Sequence, residues 1–307
     1  MKVFCQFVSL LVSFTFSIEA PAAEVSGLVD FNSWTELKPS ARLTKRPGLH
    51  YFEFKTANGS NVYLLVAELG RSDLQIRPVV NEATATTTAT ALRTDALAAI
   101  NGAFFNLSNG ESTSYITVDG TMVCDPTENK ALTGNVKLKP FLDTIFKRSE
   151  LRVLRSKTGN IQLAIAAHDT PIDHEQTLVH AIQAGPRLLP KLTATEEAFV
   201  RTEADGKLVD SIGVNKPAAR TAVGITKNGK HVMLLCVASK RQDEFSAGLT
   251  LAQVAELMKR LGCVAALNLD GGTSTTMVVK SSDDSLKMVC GRDPETLVKS
   301  ALALFKE

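Results

Sequence analysis

No two cysteines in this sequence are spaced C-x-x-C, which removes the usual zinc and dithiol redox motifs. No G-x-x-x-x-G-K-[ST] occurs, so a nucleotide-binding P-loop is not supported. No G-x-S-x-G nucleophile elbow occurs, and Ser274 follows Gly-Gly-Thr instead. The H-E-x-x-H pair of a zinc protease is missing too. Charge of one sign is scarce: the formal net charge is +2, too small to argue for nucleic acid or an anionic membrane surface as partner. No repeat of solenoid period is present. The single tryptophan, Trp34, lies in a weakly patterned lead-in from Glu24 to Pro47.

What is present is an ordinary globular balance. The 307 residues are 44% hydrophobic and 21% charged, enough for a large core. Residues 1–23 read as an export signal: Lys2, an apolar run from Val3 to Ile18, then Ala20-Pro21-Ala22-Ala23 for cleavage. The run is short for a spanning helix and is interrupted by Ser and Thr. The expectation is a mature chain starting near Ala23 or Glu24, periplasmic or secreted, with no stable membrane span after cleavage. Residues 24–60 form the lead-in and first strand, and residues 61–307 the main domain. Loss of the leader removes Cys5 and leaves Cys124, Cys236, Cys263 and Cys290. Cys236 and Cys263 lie in apolar runs, as buried small hydrophobes or one core bridge. Cys124 and Cys290 sit near turns and are free to pair.

The pattern along the chain is mainly β. Leu49 to Lys55, Val62 to Leu69 and Leu74 to Val80 read as an antiparallel meander with turns at Asn58-Gly59 and Gly70. The Thr/Ala-rich segment 83–91 reads as a loop or helix lead-in, with Thr94 or Asp95 capping a short helix over Ala96 to Ala99. Ala98 to Ile100 also begins an apolar strand that runs into Asn101-Gly102. Hairpins are expected around Asp119-Gly120, Lys157 to Asn160 and Asn228-Gly229. One amphipathic helix is convincing: Leu251, Val254, Leu257, Met258 and Leu261 fall at helical spacing, with Thr250 or Ser246 as cap and Gly262 as stop. Leu297 to Phe305 closes the chain as strand or helix. The expected class is α+β, with mixed, largely antiparallel β-sheets and a few packed helices.

Four apolar strands end abruptly in polar groups and glycine. They end at Asn101-Gly102, at Gln183-Ala184-Gly185-Pro186-Arg187, at Arg220-Thr221 and at Asp270-Gly271-Gly272. Glycine permits close backbone approach and positive φ. If these ends converge, they enclose a pocket with one acid, one amide and guanidinium groups suited to phosphate or carboxylate. Each alone is compatible with a plain turn. His168-Asp169 and Asp173-His174 bring metal-ligand types together, but Pro171 lies between them and a solvated loop accounts for them. His50, His180 and His231 lie within strand patterns and read as structural.

These segments carry a resemblance to a known family. Asn101-Gly102-Ala103-Phe104-Phe105, Ala184 to Leu189, Arg220 to Gly224 and Leu249 to Val279 are similar, in order and spacing, to the phosphodiester glycosidase family. Ala103 and Thr273 stand where that family usually has glycine. The resemblance implies hydrolysis of a sugar-1-phosphodiester to free sugar and a phosphate monoester; no cofactor and no metal ligand is assigned, and a metal requirement stays open. It implies Asp270, Arg220 and Asn101 as catalytic residues. Gly102, Phe104, Phe105, Gly185, Pro186, Gly271, Gly272, Ser274 and Thr275 would bind the sugar-phosphate or glycan substrate. A phosphate monoester is already a good leaving group, so charge stabilisation matters more than protonation, which suits a guanidinium. One carboxylate then serves as nucleophile, base or stabiliser, with Glu111 and Asp119 as candidates for a second. Two other readings fit the same residues: a non-catalytic carbohydrate- or envelope-polymer-binding protein, and a phosphodiesterase that cleaves P–O.

Overall fold

The structure is a computed structural model that describes residues 27–40, 46–69, 73–239 and 247–306. The expected leader, 1–23, lies outside the described residues. Every strand pairing among the described residues is antiparallel. The fold is α+β but dominated by its sheets.

One six-stranded sheet runs in the order Leu49–Lys55, Asn61–Glu68, His231–Val237, Arg220–Thr226, Cys263–Asn268, Arg187–Leu189. A five-stranded sheet holds Leu286–Cys290, Met277–Lys280, Ala98–Asn101, Val298–Lys306 and Leu74–Ala85. A second five-stranded sheet holds Thr121–Cys124, Ile116–Val118, Gln176–Gln183, Ser149–Ser156 and Ile161–Ala167.

The uninterrupted apolar run Val232 to Val237 shows how the layers are built. Val232, Leu234 and Cys236 point into the core between the six-stranded sheet and the two five-stranded sheets. Met233, Leu235 and Val237 point the opposite way. A strand buried on both faces has no reason to alternate in polarity. The second face is covered by the helix Leu251–Arg260, whose Leu251, Val254, Leu257 and Met258 are fully buried. Burying each such side chain contributes about 1.5–3 kcal/mol. Thr250 caps this helix in a reciprocal capping box with Gln253, and Gly262 leaves it at φ +94°.

Three local expectations are corrected. The meander does not close on itself. Leu49–Lys55 and Asn61–Glu68 pair as expected, but Leu74–Ala85 crosses to the other sheet and pairs with Val298–Lys306. The Thr/Ala segment is strand to Ala85 and then the helix Thr87–Arg93, capped by Thr86. No helix covers 96–99. Asp95 turns at φ +54° and Ala98–Asn101 is strand, because pairing on both sides outweighs the weak helix preference of a few alanines. The closing segment is strand.

Candidate active site

The four strand ends meet. Asn101 is fully buried, and its side-chain amide donates to the backbone carbonyl of Asp270 at 2.6 Å. Its Oδ1 accepts from the Thr221 hydroxyl at 2.7 Å and from the Thr276 backbone N–H at 3.1 Å. The Asp270 N–H donates to the Gly102 carbonyl at 3.1 Å, and Leu269 N–H to the Thr221 carbonyl at 2.9 Å. Gly185 N–H donates to the Asn268 carbonyl at 2.9 Å, and the Asn268 side chain returns a bond to the Gly185 carbonyl at 2.8 Å. Asn101 thus ties the strand Ala98–Asn101 to both the Arg220 strand and the Asp270 turn.

Asp270 is half-buried at this junction. Desolvation raises its pKa to about 6, against the opposing hydrogen bonds from Ser274 and the Gly271 N–H, the latter at 2.9 Å. A carboxyl moved this far towards neutrality is suited to taking or giving a proton at ordinary pH. In the neighbouring sequence Asn268 Oδ1, Thr275 Oγ1 and Thr276 Oγ1 are buried with no protein hydrogen-bond partner.

Arg220 is placed differently from what phosphate binding requires. It is 3% exposed, and its guanidinium donates to the carbonyls of Leu249 (3.0 Å), Ile212 (3.0 Å), Gly213 (2.5 Å) and Lys216 (2.7 Å). Burial lowers its pKa to about 10. These bonds clamp the 212–216 loop and the lead into the helix onto the strand end.

The glycines serve close packing. A Cβ on Gly102 would sit 2.6 Å from Ser300 Oγ and 3.0 Å from its carbonyl. Gly185, at φ +115°, has no room for one either: it would meet the Phe199 ring at 2.9 Å and the Glu197 carboxylate closer still. Pro186 is buried beside it, after a cis peptide bond. Glu197 accepts from Ser149 N–H (3.1 Å), Ser149 Oγ (2.8 Å), Arg187 N–H (3.1 Å) and the Thr193 hydroxyl. No local pattern marks this buried carboxylate, because its donors come partly from Ser149, on a strand distant in sequence. Gly271 would crowd the Ala219 carbonyl at 3.0 Å, and Gly272 adopts φ +62° and donates to that carbonyl. Ala103 and Thr273 have no left-handed backbone, so their Cβ atoms cause no strain where the family usually has glycine.

Phe104 is half-buried, packs against the core and lies 5.6 Å from the Phe199 ring. Phe105 is also half-buried and forms an isolated bridge with Ser112. Ser274 and Thr275 are buried in the turn after Asp270. Glu111 is exposed and bonds Asn109, while Asp119 occupies a hairpin turn at φ +49°. Neither joins the Asp270 cluster through a hydrogen bond. His168 is not a solvated loop residue. Its Nδ1 lies 2.7 Å from the buried Glu150 carboxylate, which also takes Arg152, and its ring stacks on Tyr115 at 4.0 Å. Among the described residues no group of three His, Cys, Asp or Glu side chains could hold a metal ion. No described helix is long and apolar enough to cross a membrane.

The chain is 28% identical over 198 residues to human N-acetylglucosamine-1-phosphodiester alpha-N-acetylglucosaminidase, covering 64% of this chain and 35% of that one. The mouse enzyme is 28% identical over 182 residues, 59% of this chain and 31% of its own. The chain therefore spans about a third of the length of these curated relatives. Among solved structures, the catalytic domain of the zebrafish enzyme, auto-inhibited by its pro-peptide, superposes with TM-score 0.59. It is 19% identical, over 88% of this chain and 87% of that one. A hypothetical protein from Synechocystis gives TM-score 0.60 at 16% identity, over 88% of this chain and 64% of that one. Likeness at such low identity shows a shared fold. The family model for phosphodiester glycosidase matches residues 94–305, a span that holds all four converging strand ends. That match covers more than half of the sequence, and the chain belongs to the phosphodiester glycosidase family.

Proposed function

We propose that this chain is an exported hydrolase that cleaves the bond between an anomeric carbon and phosphate in a sugar-1-phosphodiester of a glycan or envelope polymer. The observation that carries the reading is Asp270: a half-buried carboxyl raised to about 6, held where the strand ends at Asn101-Gly102 and Arg220-Thr221 meet. Above its pKa it is a carboxylate able to take a proton from water or to attack the anomeric carbon. The departing group is a phosphate monoester, which needs no strong acid to leave. One well-placed carboxylate therefore meets most of the chemical demand.

In this reading Asn101 and Arg220 are positioning residues. Asn101 holds the main chain of Asp270, and Arg220 holds the loops beside it. Ser274 and Gly271 orient the carboxylate. Ser274 and Thr275 shape the turn that carries the acid, and the half-buried Phe104 and Phe105 wall the sugar. Gly102, Gly185, Pro186 and Gly272 shape the backbone beneath.

The relatives' name supplies a first substrate, a nitrophenyl N-acetylglucosamine-1-phosphodiester. In ¹⁸O-water, label in the released sugar supports the glycosidase. Label in the phosphate identifies a phosphodiesterase, and binding without turnover identifies a carbohydrate-binding protein. The N-terminal sequence of the mature protein tests export, with Ala23 or Glu24 as the expected first residue.

A further inference from the structure

A phosphodiester carries a negative charge that Arg220 does not meet, because its guanidinium is occupied by four backbone carbonyls. A second arginine reaches the junction from another sheet. Arg148 immediately precedes the strand Ser149–Ser156. Its guanidinium carbon lies over the Phe199 ring, 3.7 Å from the centroid. Phe199 is fully buried, and its ring is what a Cβ on Gly185 would meet at 2.9 Å. The same ring lies 5.6 Å from that of Phe104. Gly185 exchanges two hydrogen bonds with Asn268, and Phe104 follows closely on Gly102, whose carbonyl accepts from the Asp270 N–H. One aromatic ring therefore separates Arg148 from residues of two of the converging segments.

The protein leaves most of the Arg148 charge unmet. Its Nε donates to the Glu197 carbonyl at 2.9 Å, its Nη2 reaches the Ala198 carbonyl only at 3.5 Å, and its Nη1 makes no bond. Among the described residues no carboxylate forms an ion pair with it. The Glu197 carboxylate is turned instead to Ser149, the Arg187 N–H and the Thr193 hydroxyl. Arg152, on the strand that follows, shows the contrast: it is closed by Glu150 and three carbonyls. Burial lowers the pKa of Arg148 to about 10, so it is still a cation at neutral pH. The residue is half-buried, which leaves its two terminal nitrogens for a ligand. Stacking on a ring and the single Nε bond hold the planar fork in place before any anion arrives.

We propose that Arg148, held on the Phe199 ring at the Gly185 side of the Asp270 junction, is the residue that recognises the phosphate group of the substrate. The inference rests on the phosphodiester reading above and names the cation which that reading lacks. The two terminal nitrogens of a guanidinium match two oxygens of a phosphate. The departing phosphate monoester carries more negative charge than the diester. The same contact therefore strengthens as the bond to the anomeric carbon breaks, and it serves turnover as well as binding. Arg187 is the other arginine at this turn. It pairs in register with Leu267, and its Nε is closed off from solvent, which gives a ligand less of the fork to hold.

The test measures inhibition of turnover of the nitrophenyl N-acetylglucosamine-1-phosphodiester by inorganic phosphate and, separately, by free N-acetylglucosamine. Arg148→Gln keeps a donor for the Glu197 carbonyl and removes the charge. The expected result is an inhibition constant for phosphate raised at least about tenfold, and kcat/KM lowered by a similar factor. The constant for the free sugar should stay within about twofold, which a merely structural role would not preserve. Arg148→Lys keeps the charge without the fork and should restore part of the phosphate affinity. If Arg148→Gln does not fold, Arg148→Lys supplies the comparison, with a loss of at least about threefold expected for phosphate alone. Four results overturn the proposal while the natural protein is active. They are no inhibition by phosphate, an unchanged phosphate constant in the variant, equal weakening of both inhibitors, and a selective loss in Arg187→Gln instead. A natural protein that does not turn over the diester at all overturns the phosphodiester reading, and this inference with it.

Discussion

Asn101 donates from its side chain to the backbone carbonyl of Asp270 across 2.6 Å, although 168 residues of chain separate them. That bond fixes the main chain of the acid and leaves its carboxylate free for other partners. With the two bonds accepted by Asn101 Oδ1, it makes one buried amide the junction of three strand ends.

Replacing Asn101 with alanine removes all three bonds and leaves buried groups without partners. The expected cost is about 2–4 kcal/mol in urea unfolding. Turnover should fall at least about tenfold with little change in KM, because the residue positions the acid. A rise in KM alone would place Asn101 on the substrate instead.

Asp270→Asn should abolish turnover, a loss of 100-fold or more on the order expected for a reacting group. It should also stabilise the protein at pH 7. The folded pKa, about 6, lies above the unfolded value of 3.8, so the folded state binds the proton more tightly between those values. Stability therefore falls as pH rises from about 4 to 6 and is level above that. Asparagine does not ionise, so its melting point at pH 7 should exceed that of the natural protein, by roughly the equivalent of 1–3 kcal/mol. The slope of melting temperature against pH in this window should flatten. An unchanged slope would remove Asp270 as the titrating group.

If the carboxylate is the working form, kcat/KM rises with pH through about 6 and then levels. A profile that falls through the same range would assign Asp270 as proton donor. Initial rates on the nitrophenyl phosphodiester from pH 4 to 8 decide between them.

Arg220→Lys separates bracing from phosphate binding. Lysine keeps the charge but cannot reach four carbonyls in a planar fork. The expected outcome is a loss of about 2–3 kcal/mol in stability, with KM for the phosphodiester changed less than twofold. A large KM increase at unchanged stability would return Arg220 to the phosphate.

Gly185→Ala places a methyl against the Phe199 ring and the Glu197 carboxylate, at a backbone angle that only glycine holds comfortably. Destabilisation of about 2–4 kcal/mol is expected in chemical unfolding. A neutral result would show that the Glu197 loop moves freely.

Much of this was legible in the residues. Hairpins such as Arg220–Thr226 with His231–Val237 follow from apolar runs flanking Asn-Gly, and the Thr250-capped helix follows from spacing. Those signals are local, since turn chemistry and periodicity involve neighbours in the chain. The sheet that Leu74–Ala85 joins is not legible in its own residues, because its partner lies at the far end of the sequence and no local signal names a sheet.

Most of the elements, the apolar runs and the four polar strand ends are legible in the chain alone, because each depends on a few consecutive residues. Only the tertiary structure decided what those ends do. It brought Asn101, Asp270 and Gly185 to one junction and turned the Arg220 guanidinium onto backbone carbonyls. It also packed Glu197 where Gly185 leaves room. Side-chain direction at a strand end depends on which sheets cross there, and that follows from burying all the apolar faces at once.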